Sequence, residues 1–247
     1  SLTDIQKQFH GMLRLVPQNG CIVYPSSNQS IDELISMGTW AHLQAVGGKH
    51  ELHSKLLSDD GCAFEIWQGK KYLTTINWEL LGEHNVANAL VVVAVSLQLN
   101  LPIEMVTKAI NSFTGVKRRM ELKFEQGGVK IFDDFAHHPT AIATSINGLK
   151  NNLKGKPLTI ILEFGSFTMK SGLMLDRILE ILKQEEAVYL LNAPSQLQGS
   201  YKNIHNAKSL QELMNKLKTQ KNGIKNILVM SNTGNEVLHN ELRQVFA

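Results

Sequence analysis

The chain has 247 residues, enough for one large domain or two of ordinary size, and its 43% hydrophobic and 19% charged residues describe a globular protein. A net charge of +3, with lysines and carboxylates interspersed, gives no reason to expect a nucleic-acid partner. The longest apolar run, residues 89–95, is far short of the ~20 residues that cross a bilayer, so no membrane partner is expected either.

Cys21 and Cys62 sit in strand-like apolar runs and read as two buried thiols of a reducing, cytoplasmic compartment. At the start of the chain, Ile5, Phe9, Met12 and Leu13 recur at helical spacing and predict an amphipathic helix that ends before Pro17. Residues 21–24 read as a short buried strand and 31–37 as a short helix. The runs 63–67 and 72–76 flank Gln68-Gly69-Lys70-Lys71 and predict a β-hairpin. Leu80-Leu81-Gly82 opens a long helix over 83–99, followed by another over 103–113. Thr114-Gly115-Val116-Lys117 breaks the pattern, which sets an expected domain boundary between residues 1–114 and 115–247.

Past that boundary strands and helices alternate. Strands are expected near 121–124, 129–132, 158–162, 187–191 and 227–230, and helices near 140–153, 173–183, 210–218 and 236–246. This rhythm predicts an α/β domain with a mainly parallel, doubly wound sheet.

Three stretches carry chemistry. In the first, the apolar run at 129–132 leads into Asp133-Asp134-Phe135-Ala136-His137-His138, and Pro139 then suits a first helical position. Ligands of open α/β sheets bind beyond the carboxyl ends of strands, so Asp134 and His137 are expected to face a ligand crevice. The plainer reading is that Asp133 and His138 cap the helix. In the second, His84, Asn85 and Asn88 lie three or four residues apart at the start of the long helix. An asparagine amide can both donate to and accept from a base, although first-turn polar residues often only satisfy free N–H groups. In the third, two of the five arginines, Arg118 and Arg119, are adjacent in Lys117-Arg118-Arg119-Met120-Glu121. Their guanidinium forks match phosphate oxygens, while the bland alternative is a surface pair with Glu121.

Taken together, Gly82-Glu83-His84-Asn85-x-x-Asn88, Gly115-x-x-Arg118-Arg119-Met120-Glu121 and Asp133-Asp134-Phe135-Ala136-His137-His138-Pro139-Thr140 resemble the motifs of the Mur ligases, in order and spacing, over essentially the whole chain. Ile5-Gln6-Lys7-Gln8-Phe9-His10 and Ser166-x-Thr168-Met169-Lys170 look most like the cell-wall-recycling branch of that family. The resemblance implies a partial ATPase domain followed by a Rossmann-like C-terminal domain. It also implies ATP and magnesium as cofactors, and UDP-N-acetylmuramate and the tripeptide L-alanyl-γ-D-glutamyl-meso-diaminopimelate as substrates. By the same resemblance His84, Asn85 and Asn88 contact adenine. Arg119 and Asp134 contact the nucleotide with His137 beside them, and these three are the candidate catalytic residues. Ser166, Thr168, Lys170, Ser231 and Asn232 face the incoming peptide.

Two departures qualify the resemblance. Nothing matches Gly-x-x-x-x-Gly-Lys-Ser/Thr, since Gly47-Gly48-Lys49 is followed by His50 and Gly69-Lys70 by Lys71. The chain therefore resembles the back half of a ligase, with magnesium ligands expected upstream, and is expected to be inactive alone. Further on, Glu163-Phe164-Gly165-Ser166-Phe167-Thr168-Met169-Lys170 stands where the family has Glu-Pro-Arg-Ser-Asn-Thr-Met-Lys, and Asn235-Glu236 where it has Phe-Gly. Alternatives are a ligase that adds L-alanine to the same nucleotide sugar, a non-catalytic nucleotide-binding module, and a metal site built from Asp134, His137 and His239.

Overall fold

A computed structural model describes residues 1–48, 50–197 and 201–247; Lys49 of the Gly47-Gly48-Lys49 stretch lies outside the described residues. The chain forms two compact units, Ser1–Thr114 and Gly115–Ala247. Among the described residues no helix is long and apolar enough to cross a membrane.

In the first unit, α1 (Leu2–Leu13) starts at a Ser1–Asp4 capping box. Its apolar stripe does not face inward as the periodicity predicts. Of its members only Leu13 is buried; Ile5, Phe9 and Met12 are exposed, and Gln6 is buried in their place. The reason is polar: the Gln6 amide donates to the Ser30 carbonyl and to Glu33, which ties α1 to the neighbouring helix. β1 (Cys21–Pro25) leads through α2 (Gln29–Ser36) to β2 (His42–Val46), and the two strands pair in parallel. β3 (Leu52–Leu56), β4 (Ala63–Gln68) and β5 (Lys71–Asn77) form an antiparallel sheet in that order. Phe64 and Ile66 alternate inward from β4 and meet Ile76 of β5. This apolar face packs with Val86, Leu90, Val93 and Ala94 of α3 (Glu83–Gln98) and with Val106 and Ile110 of α4 (Ile103–Asn111). Cys21 and Cys62 are half-buried rather than buried. Burial, with Asp60 and Glu79 nearby, pushes the Cys62 thiol up to about 11, so it stays protonated at neutral pH.

The second unit is built on β6 (Glu121–Gln126), β7 (Val129–Asp134), α5 (Pro139–Leu153), β8 (Thr159–Glu163), the short α6 (Phe167–Lys170) and α7 (Leu175–Leu182). It continues with β9 (Ala187–Leu191), β10 (Ile204–Ala207), α8 (Leu210–Gln220), β11 (Asn226–Met230) and α9 (Glu236–Phe246). The strand order is β10-β9-β8-β11-β7-β6, and every pairing is parallel except β6 with β7. This is the α/β, mainly parallel sheet that the alternation predicts. The chain steps outward from β8 to β9 to β10, then returns to insert β11 between β8 and β7. In open α/β sheets ligands bind at such a reversal, which here falls at the carboxyl ends of β7, β11 and β8.

Side-chain alternation divides the two faces. Val129, Ile131, Ile227 and Val229 pack with Leu213 and Leu217 of α8 and with Leu238 and Leu242 of α9. Asp133 shares that side of β7, whereas Asp134 turns the other way, toward Ser145 of α5.

Candidate functional site

The strand β7 is fully paired, by β6 on one edge and β11 on the other, so its last two residues are fixed in place. Asp134 does not open onto a crevice. It is 5% exposed, and both of its oxygens are engaged. Oδ1 accepts from the Ala136 N–H at 2.8 Å and the Ser145 hydroxyl at 3.1 Å, and Oδ2 accepts from the Met120 N–H at 2.7 Å. Burial pushes its carboxyl up from the ordinary value, against the pull of these donors and of Arg119. His137 is half-buried, and its Nδ1 lies 2.8 Å from the Phe135 carbonyl. A carbonyl only accepts, so Nδ1 carries the proton there, and in the neutral ring Nε2 is the acceptor.

Neither Asp133 nor His138 caps α5. His138 is the residue at the cap position, but its side chain makes no capping bond. Asp133 is fully buried and faces α9: Asn235 donates to Oδ1 at 2.6 Å, His239 Nε2 stands 3.4 Å from Oδ1, and Arg118 Nε stands 3.4 Å from Oδ2. His239 therefore sits beside Asp133, not with Asp134 and His137, and the three-residue metal site has no basis. Among the described residues no group of three His, Cys, Asp or Glu side chains could hold a metal ion.

The two arginines part company. Arg118 turns inward and donates to the Ser231 carbonyl at 2.6 Å, while Arg119 is exposed and its guanidinium lies 5.6 Å from the centre of the Phe135 ring. Both neighbours of Arg119 hold left-handed backbone, Arg118 at φ 60° and Met120 at φ 52°. Side chains other than glycine enter that region at a cost, and the surroundings over-determine it here. Glu121 accepts from the Arg118 N–H at 2.8 Å, Phe135 N–H donates to the Arg118 carbonyl at 2.9 Å, and Asp134 takes the Met120 N–H. The result is a braced turn with one guanidinium presented at its tip.

The loops after β8 and β11 meet at the same end of the sheet. Ser231 is buried, donates to Glu163 at 2.6 Å, and is joined there by the Thr233 hydroxyl at 2.9 Å. Asn232 is half-buried, with its Oδ1 enclosed and without a hydrogen-bond partner among the described residues. Ser166 caps α6 by accepting from the Met169 N–H at 3.3 Å. Thr168 and Lys170 are exposed on that helix. Of the two aromatic departures, Phe164 is buried in the core and Phe167 is 89% exposed.

The fold thus gathers Arg119, Asp134, His137, Ser166, Thr168, Lys170, Ser231 and Asn232 at one end of the second unit. The remaining candidates stand in the first unit. There His84 and Asn88 are exposed at the start of α3, and the half-buried Asn85 turns its amide back to the Leu81 carbonyl at 2.8 Å. The sequence pairs Arg118 with Arg119 as a candidate for phosphate, and it assigns no role to Ser145, Glu163, Asn235 or Thr233. The Arg118–Arg119 doublet was a visible signal, but its split into an inward and an outward member depends on the backbone turn. Ser145 sits mid-helix, and nothing in its sequence neighbourhood marks it.

A family model described as "Mur ligase, glutamate ligase domain" matches residues 118–232. The UDP-N-acetylmuramate–L-alanyl-γ-D-glutamyl-meso-2,6-diaminoheptandioate ligase of Haemophilus influenzae is 32% identical over 250 residues, covering 98% of this chain and 55% of that protein. A UDP-N-acetylmuramate–L-alanine ligase of Clostridium kluyveri is 32% identical over 154 residues, covering 61% of this chain and 34% of that protein. Among solved structures, a murein peptide ligase of Psychrobacter arcticus superposes with a TM-score of 0.70 at 30% identity, over 99% of this chain and 55% of that one. The chain spans about half the length of the curated relatives it matches. With the braced arginine turn, the β7 carboxylates and the α3 motif falling inside the region shared with these proteins, the chain belongs to the Mur ligase family.

Proposed function

We propose that the protein carrying this chain is an ATP-dependent amide ligase of peptidoglycan recycling. Its substrates are UDP-N-acetylmuramate and the tripeptide L-alanyl-γ-D-glutamyl-meso-diaminopimelate. The observation that carries this reading is the exposed Arg119 on its braced turn, within a chain whose Haemophilus influenzae relative bears the name of that reaction. A guanidinium carried on a braced turn suits a phosphate, because its planar fork matches the phosphate oxygens and it stays charged.

The domain assignment follows: residues 1–114 are the latter part of the ATP-binding domain, and 115–247 the C-terminal ligase domain. ATP supplies the phosphoryl group that converts the muramyl lactoyl carboxylate to an acyl phosphate, from which the peptide amine displaces phosphate. Arg119 balances negative charge at the phosphates, an electrostatic role rather than acid–base chemistry. Asp134 holds the Met120 end of its turn, and His137 offers Nε2 to a hydroxyl of the nucleotide. His84, Asn85 and Asn88 are assigned to adenine; Asn85 uses one amide N–H on the Leu81 carbonyl, and its second N–H and its Oδ1 are the groups assigned to the base. Lys170 and Thr168 meet the peptide, the lysine as a point charge for a carboxylate, with Ser166, Ser231 and Asn232 shaping the loop behind them. Magnesium is expected with the nucleotide, but none of this chain's described residues is assigned to hold it.

The test is phosphate release by the full-length protein with UDP-N-acetylmuramate and either the tripeptide or L-alanine. Higher turnover with the tripeptide is expected. Higher turnover with L-alanine would move the protein to the other relative's reaction. Nucleotide binding with no turnover on either amine would leave a binding module.

A further inference from the structure

We propose that Asp133, Arg118, Asn235 and His239 form a buried latch that positions Arg119 for the nucleotide, acting through the backbone turn rather than by touching the ligand. The inference rests on the reading of Arg119 given above and adds residues from the opposite face of the sheet.

Asp133 is fully enclosed, and the three side chains around it come from two places in the chain. Arg118 approaches from the turn before β6, and Asn235 and His239 approach from the start and first turns of α9. Arg118 makes a second bond, to the Ser231 carbonyl at 2.6 Å, and Ser231 N–H in turn donates to the Asp134 carbonyl at 3.0 Å. One guanidinium therefore ties the turn to the ends of both β7 and β11. Its own backbone is left-handed, and the next residue but one, Met120, is left-handed as well. Arg119 lies between them with its side chain outside the cluster, so the direction in which it projects is set by how firmly Arg118 and Met120 are held.

The latch is built at some expense. Arg118 Nε, Asp133 Oδ2 and both ring nitrogens of His239 are enclosed without hydrogen-bond partners of good geometry among the described residues. The 3.4 Å contact of Arg118 is a charge contact rather than a hydrogen bond, and the His239 ring stands at the same distance from Asp133 without a hydrogen bond of good geometry. Apolar groups would fill the same space between β7 and α9 without those orphaned atoms. A polar cluster retained there, directly beneath a turn in a rare conformation, fits a positioning role better than a stabilising one. The ring of His239 is also packed edge-on to Phe124 of β6, with centroids 6.4 Å apart, and Arg243 covers the same Phe124, which holds α9 against the edge strand next to the turn.

The test is a double-mutant cycle in the full-length protein, reading kcat and the KM for ATP in phosphate release that depends on UDP-N-acetylmuramate and amine. Asp133→Asn and Arg118→Lys are each made in the wild-type and the Arg119→Ala backgrounds. The expected result is a loss of about tenfold or more in kcat/KM for each in the wild-type background and little further loss once Arg119 is gone, because the latch works only through that side chain. Equal losses in both backgrounds would mean a general structural defect and would overturn the proposal, as would full activity of Asp133→Asn and Arg118→Lys. If Asp133→Asn does not fold, Arg118→Lys runs the same cycle, since it keeps a charge opposite Asp133 and gives up the reach to Ser231. Full activity of Arg119→Ala would overturn the underlying reading of Arg119 and the latch together, whereas a damaged Arg119→Ala beside an additive Asp133→Asn would sink the latch alone.

Discussion

Asp133 and Asp134 are neighbours on one strand, and their environments pull them in opposite directions. For Asp134, burial outweighs its donors and raises the carboxyl's pKa. For Asp133, burial also opposes ionisation, but the His239 and Asn235 contacts, with the charges of His239 and Arg118, hold it below its ordinary 3.8. The sign of each contribution to stability follows. Asp133 stabilises the fold above the ordinary carboxylate range, and that contribution is lost as pH falls through its lowered value. The raised pKa of Asp134 acts the other way: its contribution is most favourable when the group is protonated and is lost as pH rises through the folded value. Melting temperatures followed from neutral pH down to about pH 3 should therefore fall less steeply for Asp133→Asn than for the parent; an unchanged slope would mean that Asp133 is not held ionised. The same geometry separates two rate-lowering substitutions. Arg119→Ala removes an exposed group, so it should cost roughly 10²-fold in rate with little change in melting temperature. Asp134→Ala strands the Met120 and Ala136 N–H groups, and it should cost about 3 kcal/mol of stability in addition to any loss of rate. Chemical denaturation of both variants beside their kinetics would distinguish the two patterns; an Asp134→Ala protein as stable as the parent would contradict the buried network.

At the scale of elements, what could be read from the sequence depended on how regular the pattern was. The helices α3, α5 and α9 and the strands β7, β9 and β11 carry strong apolar signals and lie close to where periodicity puts them. The strands β2, β3 and β10 were missed, since β2 and β3 bury little more than Val46 and Leu52 and β10 has only four residues. The pairing of β1 with β2 and the place of β11 between β7 and β8 are long-range choices that no local pattern encodes. The site shows the same division. The motif residues at the end of β7 were legible, yet the direction in which Asp134 points was not, because it depends on Ser145 and Met120 arriving from elsewhere.

Two glycines give element-scale predictions. Gly82 precedes α3 at φ 92°, and a Cβ there would stand 2.8 Å from His84 Nδ1. Gly82→Ala should therefore destabilise by about 1 kcal/mol or more and displace the His84 ring; chemical denaturation reads the first effect, and an unchanged midpoint would count against the strained cap. Gly165 lies where the family motif has arginine, and its difficulty is space rather than backbone: a Cβ would fall 2.2 Å from Thr233 Cγ2. Neither neighbouring phenylalanine occupies that space, since Phe164 is in the core and Phe167 is in solvent. Gly165→Arg alone should destabilise the loop by roughly 1–3 kcal/mol. Pairing it with Thr233→Gly should recover most of that loss, and a double variant no better than the single would show that Thr233 is not the obstacle.

For the whole molecule, the two units differ in how well each encloses its own apolar surface. The second unit buries apolar side chains on both faces of a six-stranded sheet, Ile131 and Val229 on one and Ile160 and Leu162 on the other. The first divides its strands between a parallel pair and a three-stranded antiparallel sheet, and it leaves Leu2, Ile5, Phe9 and Met12 of α1 and Val92, Val95 and Leu99 in or beside α3 facing solvent. Local opening free energies follow buried apolar contact, so amides of the first unit should exchange faster than those of β7, β8, β9 and β11 when the 247-residue chain is studied alone. Nucleotide binding by that chain should be correspondingly poor. It carries Arg119, His137 and the α3 asparagines, but no Gly-x-x-x-x-Gly-Lys-Ser/Thr loop to cradle the β- and γ-phosphates. Most affinity for a nucleoside triphosphate comes from such a cradle of backbone N–H groups, and phosphoryl positioning depends on it entirely. The expected outcome is ATP binding no tighter than about millimolar, equivalent to roughly −4 kcal/mol, and no release of phosphate. Titration calorimetry and a phosphate assay on the isolated chain measure both. Micromolar binding, or turnover that depends on UDP-N-acetylmuramate, would mean that these 247 residues already hold the triphosphate in a site different from the one assigned to Arg119.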